Sequence, residues 1–194
     1  MGHYFTNEKL PSKIRKTECF VLNDKFIFFT DNGVFSKDGL DFGSRLLLES
    51  IPLEEVGAKI LDVGCGYGVL GIVLGKKTGS YVDMVDVNFR ALHLAEMNAK
   101  ENGVSQFNVF ESNAYANVTS KYSTIITNPP IRAGKKVVYD IVMNAKKFLE
   151  DDGKLFLVIR KEQGAKSLIV DLKKLYNVKV LEKEKGFFVL ECSF

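Results

Sequence analysis

A doubly wound α/β fold is the architecture this chain predicts, built on a mainly parallel seven-stranded sheet whose last strand runs antiparallel. Three observations predict it. From residue 59 onward, short apolar runs alternate with stretches of helical spacing, the pattern of a parallel sheet with helices on both faces. One junction is a glycine turn, Gly64-Cys65-Gly66-Tyr67-Gly68, placed directly after the apolar run Lys59–Val63. The last two runs, 178–183 and 187–192, are joined through Lys185-Gly186, too short for a crossover, so they must pair antiparallel.

An N-terminal β-hairpin comes first. The apolar runs Glu18–Leu22 and Phe26–Thr30 flank the turn residues Asn23-Asp24-Lys25. Leu40–Glu49 reads as a short helix, ended near Pro52. The core then runs strand 59–63, helix 66–77, strand 81–86, helix 89–102, strand 106–110, strand 122–127, helix 135–149, strand 154–160, helix 163–175 and the two closing strands. Leu92, Ala95 and Ala99 give helix 89–102 an apolar face, Asn88 precedes it as N-cap, and Asn102-Gly103 end it. Right-handed crossovers put every strand-to-helix turn on one edge of the sheet. The turns that follow strands 59–63, 81–86, 106–110 and 122–127 therefore converge on one crevice. Gly64–Gly68, Asp86, Asn113 and Asn128 are expected to meet there.

Composition narrows the classes. The chain has 194 residues, 46% of them apolar, enough for one sizeable core in a single domain. A net charge of +3 permits an RNA partner without arguing for one. Three scattered cysteines, Cys19, Cys65 and Cys192, predict free thiols in a reducing compartment, the cytoplasm. No leading apolar stretch reads as a signal peptide, and no run is long enough for a membrane span. The two histidines, His3 and His93, lack partners at ligand spacing, so no metal is expected. Cys65 reads as a small packing residue and His93 as a surface one.

Chemistry concentrates at the ends of two strands. The turn after Lys59–Val63 shows G-x-G-x-G, with Val69 where a dinucleotide pattern would need its last glycine. Asp62, two residues earlier, would repel a pyrophosphate but suits a cationic sulfonium; it could also cap a backbone N–H of the glycine loop. Asp86 lies twenty-two positions after Gly64, at the end of the next strand, where a carboxylate can accept from a ribose diol. The run Tyr122–Thr127 ends in Asn128-Pro129-Pro130-Ile131. Each proline fixes its own φ, removes an N–H and holds the preceding residue extended. The Asn128 amide oxygen and the Pro129 carbonyl are thus two stiff acceptors for the two hydrogens of one amine. Holding both N–H bonds of a conjugated amine turns its lone pair toward an incoming carbon. Arg132, Lys135 and Lys136 follow; cations are slightly unfavourable at a helix start, which points to the crevice rim and to phosphates. Lys13, Arg15 and Lys16, and Arg160 with Lys161, are further basic clusters.

Together these residues resemble a known family. Leu61-Asp62-Val63-Gly64-Cys65-Gly66-Tyr67-Gly68 with Asp86 is similar to the cofactor site of class I S-adenosylmethionine methyltransferases. Asn128-Pro129-Pro130-Ile131 resembles the motif of those that methylate exocyclic or amide nitrogen. The segments Gly33–Lys37, Leu40–Leu48 and Asn128–Lys135 are closer still to the RsmC family, which methylates guanine N2 in small-subunit ribosomal RNA; the resemblance covers residues 3 to 192. It implies a Rossmann-like class I methyltransferase fold, with residues 1–50 as hairpin and cofactor-covering segment and 51–194 as core. It implies S-adenosylmethionine on Gly64, Gly66, Gly68, Asp86 and Val87, with adenine near Asn113 and the Ala114 backbone. Asp41 would orient Asn128 or the methionine amino group. Asn128, Pro129 and Pro130 would form the catalytic turn, and Ile131, Arg132, Lys135 and Phe35 would meet the substrate. Relatives usually carry an aromatic at the place of Ile131; Phe35, Phe42 or Tyr115 could replace it as the surface that stacks on the base. Implied partners are ribosomal RNA or the small ribosomal subunit, in a monomer or a homodimer.

Competing readings remain at this point. The same chemistry could serve a protein glutamine amide or a DNA adenine. A nicotinamide oxidoreductase is opposed by Val69 and Asp62. A non-catalytic RNA-binding module is opposed by two intact motifs.

Overall fold

The structure, a computed structural model, describes residues 10–130 and 134–194. A hairpin, β1 (Arg15–Val21) and β2 (Asp24–Thr30), stands apart from the main sheet. Its turn is Leu22-Asn23 rather than 23–25: both residues have positive φ, 51° and 64°, the geometry that matches strand twist in a two-residue hairpin. Strand β2 lies against α3 (Phe89–Glu101). Asn98 and Asn102, one helical turn apart, do there what a neighbouring strand would. The Asn98 amide accepts from Phe29 N–H (2.7 Å) and donates to Phe29 C=O (3.0 Å). Asn102 repeats this on Ile27 at 3.0 and 2.7 Å. The open edge of the hairpin is closed by side chains.

The main sheet has seven strands: β3 (Lys59–Val63), β4 (Tyr81–Asp86), β5 (Phe107–Glu111), β6 (Tyr122–Thr127), β7 (Leu149–Arg160), β8 (Asn177–Glu184) and β9 (Phe187–Ser193). Their order is β5-β4-β3-β6-β7-β9-β8, with β9 antiparallel to both neighbours. That is the expected architecture. One apolar layer, with Leu47, Ile60, Ile72, Met84 and Leu94, lies between the sheet and α1 (Phe42–Ser50), α2 (Val69–Thr78) and α3. The other, with Leu61, Ile125, Leu155 and Leu168, lies under α4 (Lys135–Asn144) and α5 (Ala165–Leu172).

Boundaries shift where local chemistry competes with helical spacing. Helix α2 begins at Val69, not at 66, because Gly64, Gly66 and Gly68 have φ of 71°, 56° and 94°, outside the right-handed helix. Helix α4 ends at Asn144 and a 3₁₀ turn, Ala145–Lys147, follows; Phe148 C=O then accepts from Tyr122 N–H at 2.8 Å, drawing the chain into β7 five residues earlier than 154. Helix α5 is shorter than 163–175, since Lys161–Gln163 form a separate 3₁₀ turn and Gly164, at φ 86°, interrupts.

Candidate active site

The glycine turn is fixed before any ligand is considered. Gly64 and Cys65 N–H both donate to Val85 C=O, at 2.8 and 2.9 Å, tying the turn to the end of β4. A Cβ on Gly68 would lie 2.8 Å from Ile72 Cδ1 and 3.2 Å from Ala95 Cβ, so that glycine lets the turn pack against α2 and α3. A Cβ on Gly66 would meet nothing within 4 Å, which leaves its backbone facing open space. Cys65 is buried, and burial pushes its thiol well above the usual value, as suits a packing residue.

Two carboxylates sit under and beside this turn. Asp62 is fully buried; its Oδ2 accepts from Gly71 N–H (2.8 Å), in α2 rather than in the glycine loop. Its Oδ1 is buried with no hydrogen-bond partner among the described residues. Burial pushes the Asp62 carboxyl up to about 7, against the pull of the Gly71 N–H and with help from the Asp86 charge. Asp86 is half-buried and accepts from Gly66 N–H and Asn88 N–H, both at 2.9 Å. Its carboxyl is also raised, chiefly by burial. Asn88 caps α3, its Oδ1 accepting from Arg90 and Ala91 N–H, and its Nδ2 donates to Gly33 C=O (3.2 Å). Tyr67 O–H donates to Gly39 C=O at 3.0 Å. These bonds lay the 31–41 segment beside the glycine turn. An orphaned buried carboxylate oxygen with a second carboxylate nearby fits a cationic ligand and opposes an anionic one.

The Asn128-Pro129-Pro130 turn adjoins the glycine turn directly. A Cβ on Gly64 would lie 3.6 Å from Pro130 Cδ. Thr127 Oγ1 donates to Val63 C=O (2.8 Å), locking the end of β6 to the end of β3. Asn128 is half-buried, and its Nδ2 donates to Ser44 Oγ (3.0 Å) and Asp41 Oδ1 (3.3 Å). Asp41 is the N-cap of α1; the same Oδ1 accepts Ser44 N–H at 3.1 Å. A carboxylate only accepts, so it dictates that the NH₂ end of the Asn128 amide faces Asp41. Asn128 Oδ1 is thereby turned away from α1, and no described residue donates to it or to the Pro129 carbonyl. Ser44 was invisible to sequence reasoning: only its place three residues after the Asp41 cap hints that it lies on the site.

Other expected residues divide. Asn113 is exposed in the turn after β5, and Ala114 has φ 49°, a left-handed conformation unusual for alanine. Ser112 N–H donates to Asp86 C=O (3.1 Å), which brings that turn to the same edge. Val87 is half-exposed beside Asp86. Phe35 is 59% exposed on the 31–41 segment. Tyr115 is no stacking surface: it is buried, stacked on Phe148, and its O–H donates to Ile141 C=O (2.9 Å). Phe42 packs against Phe187. Lys135 is exposed at the first position of α4, whereas Ile131 and Arg132 lie outside the described residues. Among the described residues no group of three or more His, Cys, Asp or Glu could hold a metal, and no helix is long and apolar enough to cross a membrane.

Known proteins are similar to this chain in sequence and fold. The model of the methyltransferase small domain matches residues 25–191. The chain belongs to the methyltransferase small-domain family. Within it, the chain is RsmC-like, and S-adenosylmethionine is the family's cofactor. YbxB of Bacillus subtilis is 42% identical over 98% of both chains. Ribosomal RNA small subunit methyltransferase C of Psychromonas ingrahamii is 35% identical over 82% of this chain and 46% of its own. The T. thermophilus 16S rRNA N2 methyltransferase RsmC, solved with AdoMet and guanosine, matches with a TM-score of 0.84 and 25% identity, over 95% of this chain and 51% of that one. The chain spans about half the length of the ribosomal RNA methyltransferases it matches.

Proposed function

We propose that this chain transfers a methyl group from S-adenosylmethionine to an exocyclic amine of a nucleobase, guanine N2 of small-subunit ribosomal RNA, in the cytoplasm. One observation carries the reading: Asn128 is anchored through its NH₂ by Asp41 and Ser44, which turns its oxygen away from α1, in a turn whose Pro130 ring lies close to Gly64. When bound, the cofactor supplies an electrophilic methyl on a positive sulfur. Gly64, Gly66 and Gly68 let backbone approach it; Asp86, with Val87, takes the ribose, and Asn113 and Ala114 take the adenine. Asp62 offers a buried negative charge on the same side. The target base, flipped out or single-stranded, enters beside Asn128. Asn128 Oδ1 and the Pro129 carbonyl accept the two amine hydrogens, and Pro130 keeps that turn stiff. The nitrogen forms its bond to carbon as the carbon–sulfur bond breaks, and the alkylated amine gives its proton to solvent. Asp41 acts through Asn128 as a positioning residue. Phe35 and Lys135 are assigned to RNA contact, as are Ile131 and Arg132 on the sequence alone.

The guanine-N2 assignment is supported by the T. thermophilus relative, whose structure holds guanosine. Nucleoside mass spectrometry of ribosomal RNA, with and without the gene, tests it. Loss of N2-methylguanosine from the small subunit is the expected result. Intact rRNA methylation with loss of a methylated glutamine or adenine would transfer the reading to another amine.

A further inference from the structure

The ligand edge of the sheet carries a second feature on the side away from the glycine turn. Arg160 ends β7, and the turn Lys185-Gly186 between β8 and β9 lies beside it, Lys161 N–H donating to Gly186 C=O at 2.7 Å. The Arg160 guanidinium sits 4.5 Å over the Phe187 ring, and Lys185 Nζ sits 4.5 Å over the Phe42 ring. The two rings pack against each other with centroids 5.3 Å apart. This cluster reaches the catalytic turn through one residue: a Cβ on Gly43 would lie 2.9 Å from Phe187 Cε1 and 3.2 Å from Asp41 Oδ1, the oxygen that holds Asn128.

We propose that Arg160 and Lys185 receive backbone phosphates of the RNA strand that delivers the target base; the proposal rests on the nucleobase reading above. Arg160 is exposed and has no acidic partner among the described residues. Among the described residues Lys185 pairs only with exposed Glu184, at 3.4 Å, a weak contact that a phosphate can displace. Glu162 is a further carboxylate nearby, its Oε1 3.5 Å from a Cβ built on Gly186, and Asp41 lies beyond Gly43 with its Oδ1 already holding Ser44 and Asn128. The aromatic faces hold both cations in place, so little side-chain freedom remains to be lost on binding. Lys185 also has φ 46°, at a position where asparagine or glycine is the usual choice. A lysine kept there against a backbone cost of about 1–2 kcal/mol points to a use for its charge. The N-terminal cations are differently placed: Arg15 donates to Asn32 Oδ1 (3.1 Å) and Lys16 pairs with Glu101 (3.7 Å).

The test is a salt titration of equilibrium binding to a fluorescent single-stranded fragment of small-subunit rRNA. Arg160→Gln with Lys185→Asn removes both charges, and asparagine tolerates the left-handed backbone. Each lost phosphate contact lowers the log–log salt slope by roughly 0.7, so the pair should lose about 1.4. Lys76→Gln with Lys173→Gln, at helix C-terminal ends on the opposite edge, is the control and should lose none. An unchanged slope in the first pair, or an equal drop in the control, overturns the proposal. Methyl transfer by Asn128→Ala reads the parent proposal separately, so the two can fail independently.

Discussion

The crevice has two halves built by different means. The cofactor half is held by backbone: three left-handed glycines, the Val85 carbonyl that takes two N–H bonds, and Asp86 fixed by two more. The amide half is held by side chains from outside the sheet, Asp41 and Ser44 reaching Asn128 across 87 and 84 residues. Damage to the glycine backbone that holds the first half should cost folding and ligand together. Damage to a side-chain-held half should cost rate and spare cofactor affinity.

The sharpest break comes from Gly68→Ala. At φ 94°, with a methyl 2.8 Å from Ile72 Cδ1, the substitution combines strain with overpacking. It should destabilise by about 2–4 kcal/mol, lowering Tm by roughly 5–15 °C and abolishing cofactor binding. Thermal melts with and without cofactor check both effects.

On the amide half, Asp41→Ala should cut turnover roughly 10–100-fold while leaving cofactor affinity unchanged. It also removes the α1 cap, so Tm should fall by roughly 2–4 °C. Ser44→Ala keeps the cap, whose donor is the backbone N–H, and should lower turnover with no change in Tm. Equal loss of cofactor affinity in either variant would erase the distinction between the halves.

A smaller effect separates the halves by pH. Burial raises the Asp62 carboxyl to about 7 in the folded chain. The unfolded chain gives up that proton near ~4, so stability falls as pH rises from there to about 7. Asp62→Asn should therefore raise Tm more at pH 8 than at pH 5. Cofactor affinity should fall about tenfold, some 1.4 kcal/mol, as the buried charge is lost. An equal Tm change at both pH values would mean that Asp62 is already ionised in the folded protein at pH 5.

The same contrast explains what was legible in the sequence. Lys59–Val63, the glycine turn and Asp86 lie within one strand–turn–helix–strand unit, where spacing alone sets geometry, and strands β3, β4 and β6 have the expected limits. The rigidity of the Asn128-Pro129-Pro130 turn was legible, because prolines act locally. Its anchoring was not: nothing in Ser44 or in the distance from Asp41 to Asn128 signals a contact that only the folded sheet creates. Asn98 and Asn102 were missed for the same reason, since a helical asparagine gives no sign that its amide completes a distant strand. Tyr115, one of three aromatics the sequence left open, shows the converse: it is near the site in sequence, and tertiary packing buries it against Phe148.

The amide itself offers the most direct measurement. Asn128→Ala removes one of the two stiff acceptors and leaves the glycine turn, Asp62 and Asp86 untouched. Cofactor affinity should stay within about twofold, while methyl transfer to rRNA falls at least ~100-fold, the scale of losing one fixed dipole at a reacting group. Turnover equal to that of the parent chain, with cofactor bound as before, would contradict the role assigned to Asn128.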